Sequence, residues 1–253
     1  MRIRTKLITG IYVCSFLAVS FTANANAVII NDAYIGGMLY QGSTYDYTID
    51  AIGGDARFGV SHMDVNNVGS KLVIDIYSRY YDNIGASNTR LGDLFLSTDG
   101  WNPNNPTSSD TSQNGESWEL AFVLDDHMAT SGSLSLFAVD PSNIGIADDQ
   151  GSTEFRWGQE VVYDGAGQTA LSTAGTWAIH NLGGLDTDDF LRFEFDYADL
   201  GTIADTLGIR WSMTCANDII EGGYNPVPEP ATALLFGTGL VAFMGMRRKG
   251  KKS

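Results

Sequence analysis

Phe190-Leu-Arg-Phe-Glu-Phe-Asp-Tyr197 is the stretch that decides the fold. Leu191, Phe193, Phe195 and Tyr197 alternate with Arg192, Glu194 and Asp196, a period of two that an extended strand turns into one apolar and one polar face. Lys71–Arg79 does the same, with Leu72, Ile74 and Ile76 on one side and Asp75 and Arg79 on the other. Ile209–Cys215 sets Ile209, Trp211, Met213 and Cys215 against Arg210, Ser212 and Thr214. Comparable runs occur at 28–34, 45–49, 58–65, 91–97, 118–124, 134–139, 154–163 and 176–180, about eleven strands in all. Turns rich in Gly, Asn, Asp and Ser separate them, and the 29 glycines suit so many turns. No long amphipathic helix is present; residues 200–207 form a turn or two at most. The pattern predicts an all-β fold, a single antiparallel jelly-roll-like β-sandwich spanning 28–224. Its longest loop is Asn102–Glu116, and Asn217–Asn225 reads as a linker to the C-terminal segment.

Charge narrows the function. Eight of the 15 basic residues lie before residue 28 or after residue 246, whereas all 30 acids lie between. That segment holds seven basic residues against thirty acidic ones, a net charge of −23. Such a surface repels phosphate and attracts cations, so nucleic-acid binding is excluded. With 43% hydrophobic residues the chain has the material for a core. After residue 27 the only cysteine is Cys215, so there is no disulfide framework, and its place beside Trp211 and Met213 reads as a buried structural thiol.

The two ends carry signals. Arg2, Arg4 and Lys6 precede an apolar stretch from Leu7 to Phe21, and Ala25 and Ala27 form an Ala-x-Ala site. Residues 1–27 therefore read as a signal peptide cut by signal peptidase before Val28. At the other end, Val227-Pro228-Glu229-Pro230 is followed by an uncharged run, 231–246, and then by Arg247, Arg248, Lys249, Lys251 and Lys252. The prolines hold the motif extended and deprive it of backbone donors. The run is just under the roughly 17–25 residues of a stable span, and the basic tail holds its end in the cytoplasm. An ordinary single transmembrane helix explains the run and the charges but not the Pro-Glu-Pro.

This tripartite segment, 225–253, resembles the PEP-CTERM sorting signal of Gram-negative bacteria that make exopolysaccharide. The resemblance implies recognition and cleavage by an exosortase-type sorting protease. Gly92–Trp101 and Leu207–Asp218 are similar to segments upstream of the signal in one group of PEP-CTERM proteins, which implies a shared sandwich and no particular activity.

Chemistry-bearing constellations are few. His62, His127 and His180 lie in unrelated contexts, with no nucleophile elbow and no zinc spacing, and read as surface or strand-edge residues. Glu194 and Asp196 project from one strand face, and paired carboxylates at such spacing serve retaining glycosidases. Glu194-Phe-Asp-Tyr-Ala-Asp199 is similar to the Glu-x-Asp-x-x-Glu strand of laminarinase-type glycosidases, but departs from it in carrying Asp199 as the last acid. A solvated outer face accounts for the same residues. Asp140, Asn143, Asp148 and Asp149 share one loop and are candidate calcium ligands, although turn-forming Asp and Asn explain that loop equally. Trp101 and Trp157 are the candidate sugar-stacking rings, while Trp118 and Trp211 fall in strands and read as core.

The expected protein is thus an exported, non-enzymatic cell-surface or exopolysaccharide-matrix protein. Its precursor is anchored in the inner membrane with the domain in the periplasm. The alternative is a carbohydrate-binding module, or a glycoside hydrolase using Glu194 and Asp196.

Overall fold

A computed structural model describes residues 27–33, 35–36, 39–40, 44–45, 51–52, 56–147, 155–183 and 189–226. Its elements are strands and short 3-10 turns, with no α-helix among the described residues. The first half contains β1 (Val28–Asn31), β2 (Leu39–Tyr40), β3 (Thr44–Tyr45), β4 (Val60–Val68), β5 (Lys71–Ser78), β6 (Leu94–Ser97) and β7 (Leu120–Leu124). The second contains β8 (Ser131–Ala138), β9 (Ile144–Ala147), β10 (Gln159–Tyr163), β11 (Ser172–His180), β12 (Phe190–Asp196), β13 (Leu207–Ser212) and β14 (Ile219–Tyr224). Residues 200–207 hold the end of a 3-10 turn at Tyr197–Leu200 and the first residue of β13. No helix among the described residues is long and apolar enough to cross a membrane. The signal peptide apart from Ala27, the motif 227–230 and the apolar run 231–246 lie outside the described residues.

The all-β expectation holds, but the strands are not divided between two stacked sheets. Ten of them form one antiparallel sheet in the order β1-β4-β5-β12-β11-β8-β7-β6-β13-β14. The sheet curls until β1 lies against β14, so it is nearly closed; Ile30 occupies the space where a Gly222 side chain would project, 2.5 Å from its Cβ position. Alternation states which side chains point inward but not which strands are neighbours. Here every inner face feeds a single core, from Met63, Val65 and Leu72 through Phe193 and Phe195 to Trp211 and Met213. Opposite walls meet across it, with Phe122 of β7 stacked on Phe195 of β12 at 3.9 Å between centroids. At the β4–β5 turn, Gly69 takes φ +65°, a conformation open to glycine at little strain.

Residues 217–225 are not a linker. Ile219–Tyr224 is a full strand, paired along β13 from Ser212↔Ile219 to Leu207↔Tyr224. Its Gly222 and Gly223 look like turn residues but serve close approach, to Ile30 on one side and to Thr206 and Trp101 on the other.

A second layer covers one wall from outside. The β9–β10 hairpin brings Ala147 and Val161 onto Ile219, with Ile35 and Ala216, and Tyr163 onto Phe95, Ala121 and Phe137, with Trp118. All six residues of β13 are buried as a result. On the opposite wall, β12 keeps strict alternation, its inner residues buried and its outer ones half-buried or exposed.

Candidate functional site

The open wall comprises the outer faces of β4, β5, β12 and β11. Glu194 and Asp196 share this face, as their spacing in the strand requires. Register brings β5 alongside, placing Glu194 opposite Val73 and Asp196 opposite Lys71. Lys71 Nζ donates to Glu194 Oε1 at 2.6 Å, and Ser70 Oγ donates to Asp196 Oδ1 at 3.2 Å. The hydrogen bond to Glu194 holds the Lys71 ammonium above its ordinary range. One step along, Arg192 grips Asp75 with both arms, Nε to Oδ1 at 2.7 Å and Nη2 to Oδ2 at 2.6 Å. This fork leaves Asp75 only 5% exposed, beside Val73, which is buried on the same face at 7%. Further along still, His62, Tyr77, Phe190 and His180 stand directly opposite one another on successive strands. His62 stacks on Tyr77 at 4.2 Å and His180 on Phe190 at 4.9 Å. The rings face each other, so the row offers edges and polar atoms to solvent more than open ring faces.

The covered wall holds a second constellation. Arg210 projects outward from β13 yet is 2% exposed. Its Nη1 donates to Glu221 Oε2 at 2.6 Å and its Nη2 to Gln159 Oε1 at 2.6 Å, with Glu160 Oε2 at 3.4 Å. Trp101 Nε1 donates to the other Glu221 oxygen at 2.8 Å. Trp101 is therefore half-buried against this cluster rather than freely displayed, and Trp157 is half-buried in the turn before β10. Burial pushes Glu160 up, against the pull of Arg210. The 102–116 loop closes over the cluster and contributes Asp110, itself 2% exposed.

Beyond that cluster, Asp93 joins β7 to the hairpin. Its Oδ1 accepts from Leu124 N at 3.0 Å and lies 2.8 Å from His127 Nε2, while its Oδ2 accepts from Tyr163 N at 2.8 Å. Burial lowers the His127 pKa, but the hydrogen bond and charge of Asp93 outweigh it and the net shift is upward. Cys215 is fully buried in the core with Trp211 and Met213, and Trp118 is buried in the outer layer.

In the acidic loop, Asp140 Oδ1 accepts from Ser142 N at 3.0 Å and Ser142 Oγ at 2.8 Å, capping the turn Pro141–Asn143. The Ser142 backbone amide and hydroxyl hold Asp140 below its usual range. Asp148 and Asp149 lie outside the described residues. Among the described residues, no three His, Cys, Asp or Glu side chains are grouped to hold a metal ion.

Sequence reasoning found the carboxylate pair but neither Lys71 as its partner nor the Arg210 cluster. Arg210 carried one signal: it is one of seven bases in the acidic segment and sits between Ile209 and Trp211.

Residues 226–249 match the PEP-CTERM protein-sorting motif. The chain thus carries that motif, which implies export and processing at the membrane by an exosortase. No curated protein and no solved structure matches the chain.

Proposed function

We propose that this is a non-enzymatic protein of the cell surface or exopolysaccharide matrix, exported by signal peptidase processing and released by an exosortase that cuts near Val227–Pro230. The observation that carries the reading is the sorting motif itself, which begins at Pro226, directly after the last strand ends at Tyr224. A cut within it leaves every described strand whole. The topology suits a precursor tethered at both ends. Every neighbouring pair in the ten-stranded sheet is antiparallel. β14 therefore runs opposite to β1, and the start of β1 at Val28 and the end of β14 at Tyr224 share one end of the molecule. The test is fractionation of epitope-tagged cells. Glu229→Ala or Pro230→Ala should leave a membrane-bound precursor, and equal release of wild type and variant would refute the reading.

A carbohydrate-binding or glycoside-hydrolase role is the second reading, favoured by the placement of Glu194 and Asp196 on the open wall. Glycan-array binding without new reducing ends supports a binding module. Reducing-end release lost in Glu194→Gln supports a hydrolase.

A further inference from the structure

The 102–116 segment is a strap with few apolar anchors, held mainly by hydrogen bonds. Gly36 N donates to Thr107 O at 3.0 Å, Gln159 Nε2 to Asp110 O at 2.7 Å, and Ser112 N to Gly158 O at 2.9 Å. Within it, Asn114 Oδ1 accepts from Thr111 N and Oγ1, and Glu116 accepts from Asn102 N. These bonds turn Asp110 inward, where no side-chain donor reaches its carboxylate oxygens and the backbone amide of Asn104 eases their charge only in part. Gly115 passes so close that a Cβ there would lie 2.1 Å from Asp110 Oδ1.

The charges around Asp110 do not balance. Glu221 on β14, Glu160 on β10 and Arg210 on β13 act on it, and all three are at least 95% buried. The strap's own Glu116 follows Gly115, which packs on Asp110, and burial pushes its carboxyl up as well, with the charge of Glu221 adding to it. Arg156, the other buried guanidinium of this region, is turned to the carbonyls of Ile35, Gly36 and Asn217. One guanidinium thus faces three carboxyl groups, and it already makes its short hydrogen bonds to Glu221 and Gln159. A metal is not the remedy, since no metal-holding group exists among the described residues and Arg210 fills the middle of the cluster.

We propose that Asp110 is a proton-operated latch: neutral, it lets the strap close over the outer face of β13 and β14, and ionised, it drives the strap open and uncovers Arg210, Glu221 and Trp101. Burial pushes the Asp110 carboxyl up to about 7, with the charge of Glu221 adding to it and Arg210 offsetting part. In the open strap the group meets water and returns to an ordinary value of about 3.9. The closed form binds the extra proton, so its advantage is complete below about pH 4 and is lost as pH rises to about 7.

Amide hydrogen exchange on the full chain tests this, read at Ser112 and Gly36, whose N–H groups are bonded only while the strap is closed. After correction for intrinsic exchange, their opening constants should rise about 100-fold between pH 5 and pH 8 in the wild type. Asp110→Asn, which cannot ionise, should hold them flat over the same range and keep them protected at pH 8. The amide of Phe193 in the core should stay protected in both proteins. A wild type without the rise, or an Asp110→Asn protein that shows it undiminished, overturns the latch.

Discussion

Arg192 and Arg210 occupy equivalent positions on the two walls of one sheet. Each is the outward residue of an alternating strand, each faces a carboxylate on the neighbouring strand, and in sequence they look alike. The Arg192 side chain is 38% exposed, whereas that of Arg210 is 2% exposed beneath the β9–β10 hairpin and the strap. The difference teaches that alternation separates inside from outside only for a single layer. An outward polar residue is solvated on a bare wall and becomes an interior ion pair when later chain folds over it. The energetics diverge accordingly, because water screens the first pair and cannot reach the second.

The comparison breaks first at the arginines. Arg210→Met leaves Glu160 and Glu221 buried beside each other without their counter-ion and should destabilise the protein by about 3–5 kcal/mol. Arg192→Met strands Asp75 at a surface water can enter, and should cost about 1–2 kcal/mol. Urea denaturation of both variants checks the ratio, and equal losses would mean that the covering layer does not exclude water. The next effect lies at the seam where the walls meet. Gly222→Ala drives a methyl into Ile30 and should cost about 1–3 kcal/mol, with Ile30→Ala in the same chain recovering part of the loss. No loss at Gly222 would mean that β1 does not lie against β14. The smallest effect is on the open wall, where Lys71→Ala should leave the denaturation midpoint unchanged despite the short contact to Glu194.

Much of this was legible in sequence, for physical reasons that also mark the limit. Leu191, Phe193 and Phe195 are fully buried, as their spacing required, because a pleated strand leaves them no other choice. Glu194 and Asp196 share a face for the same reason. Lys71 was invisible as a partner because it lies 123 residues away and reaches Glu194 only through a strand order set by global packing. β14 was missed because Ile219-Ile-Glu-Gly-Gly-Tyr224 spells a turn locally, and its glycines make sense only once Ile30 and Trp101 are pressed against them. The latch was missed likewise: in sequence Asp110 is one more polar residue of a polar loop. The sorting motif, by contrast, was legible in full, since a processing signal is read as a linear string.

Thiol labelling tests the contrast between the walls most directly. In a Cys14→Ser background the native Cys215 is buried and silent. A single cysteine is then placed at an outward position of either wall, as Thr176→Cys on exposed β11 or Ser212→Cys on β13, where Ser212 is 2% exposed. Under native conditions at pH 5, with the strap closed, Thr176→Cys should react as fast as a free peptide thiol. Ser212→Cys should be protected more than about a hundredfold and react at the rate of local opening. Equal labelling of the two would contradict the account, because the outer face of β13 would then be as open as that of β11.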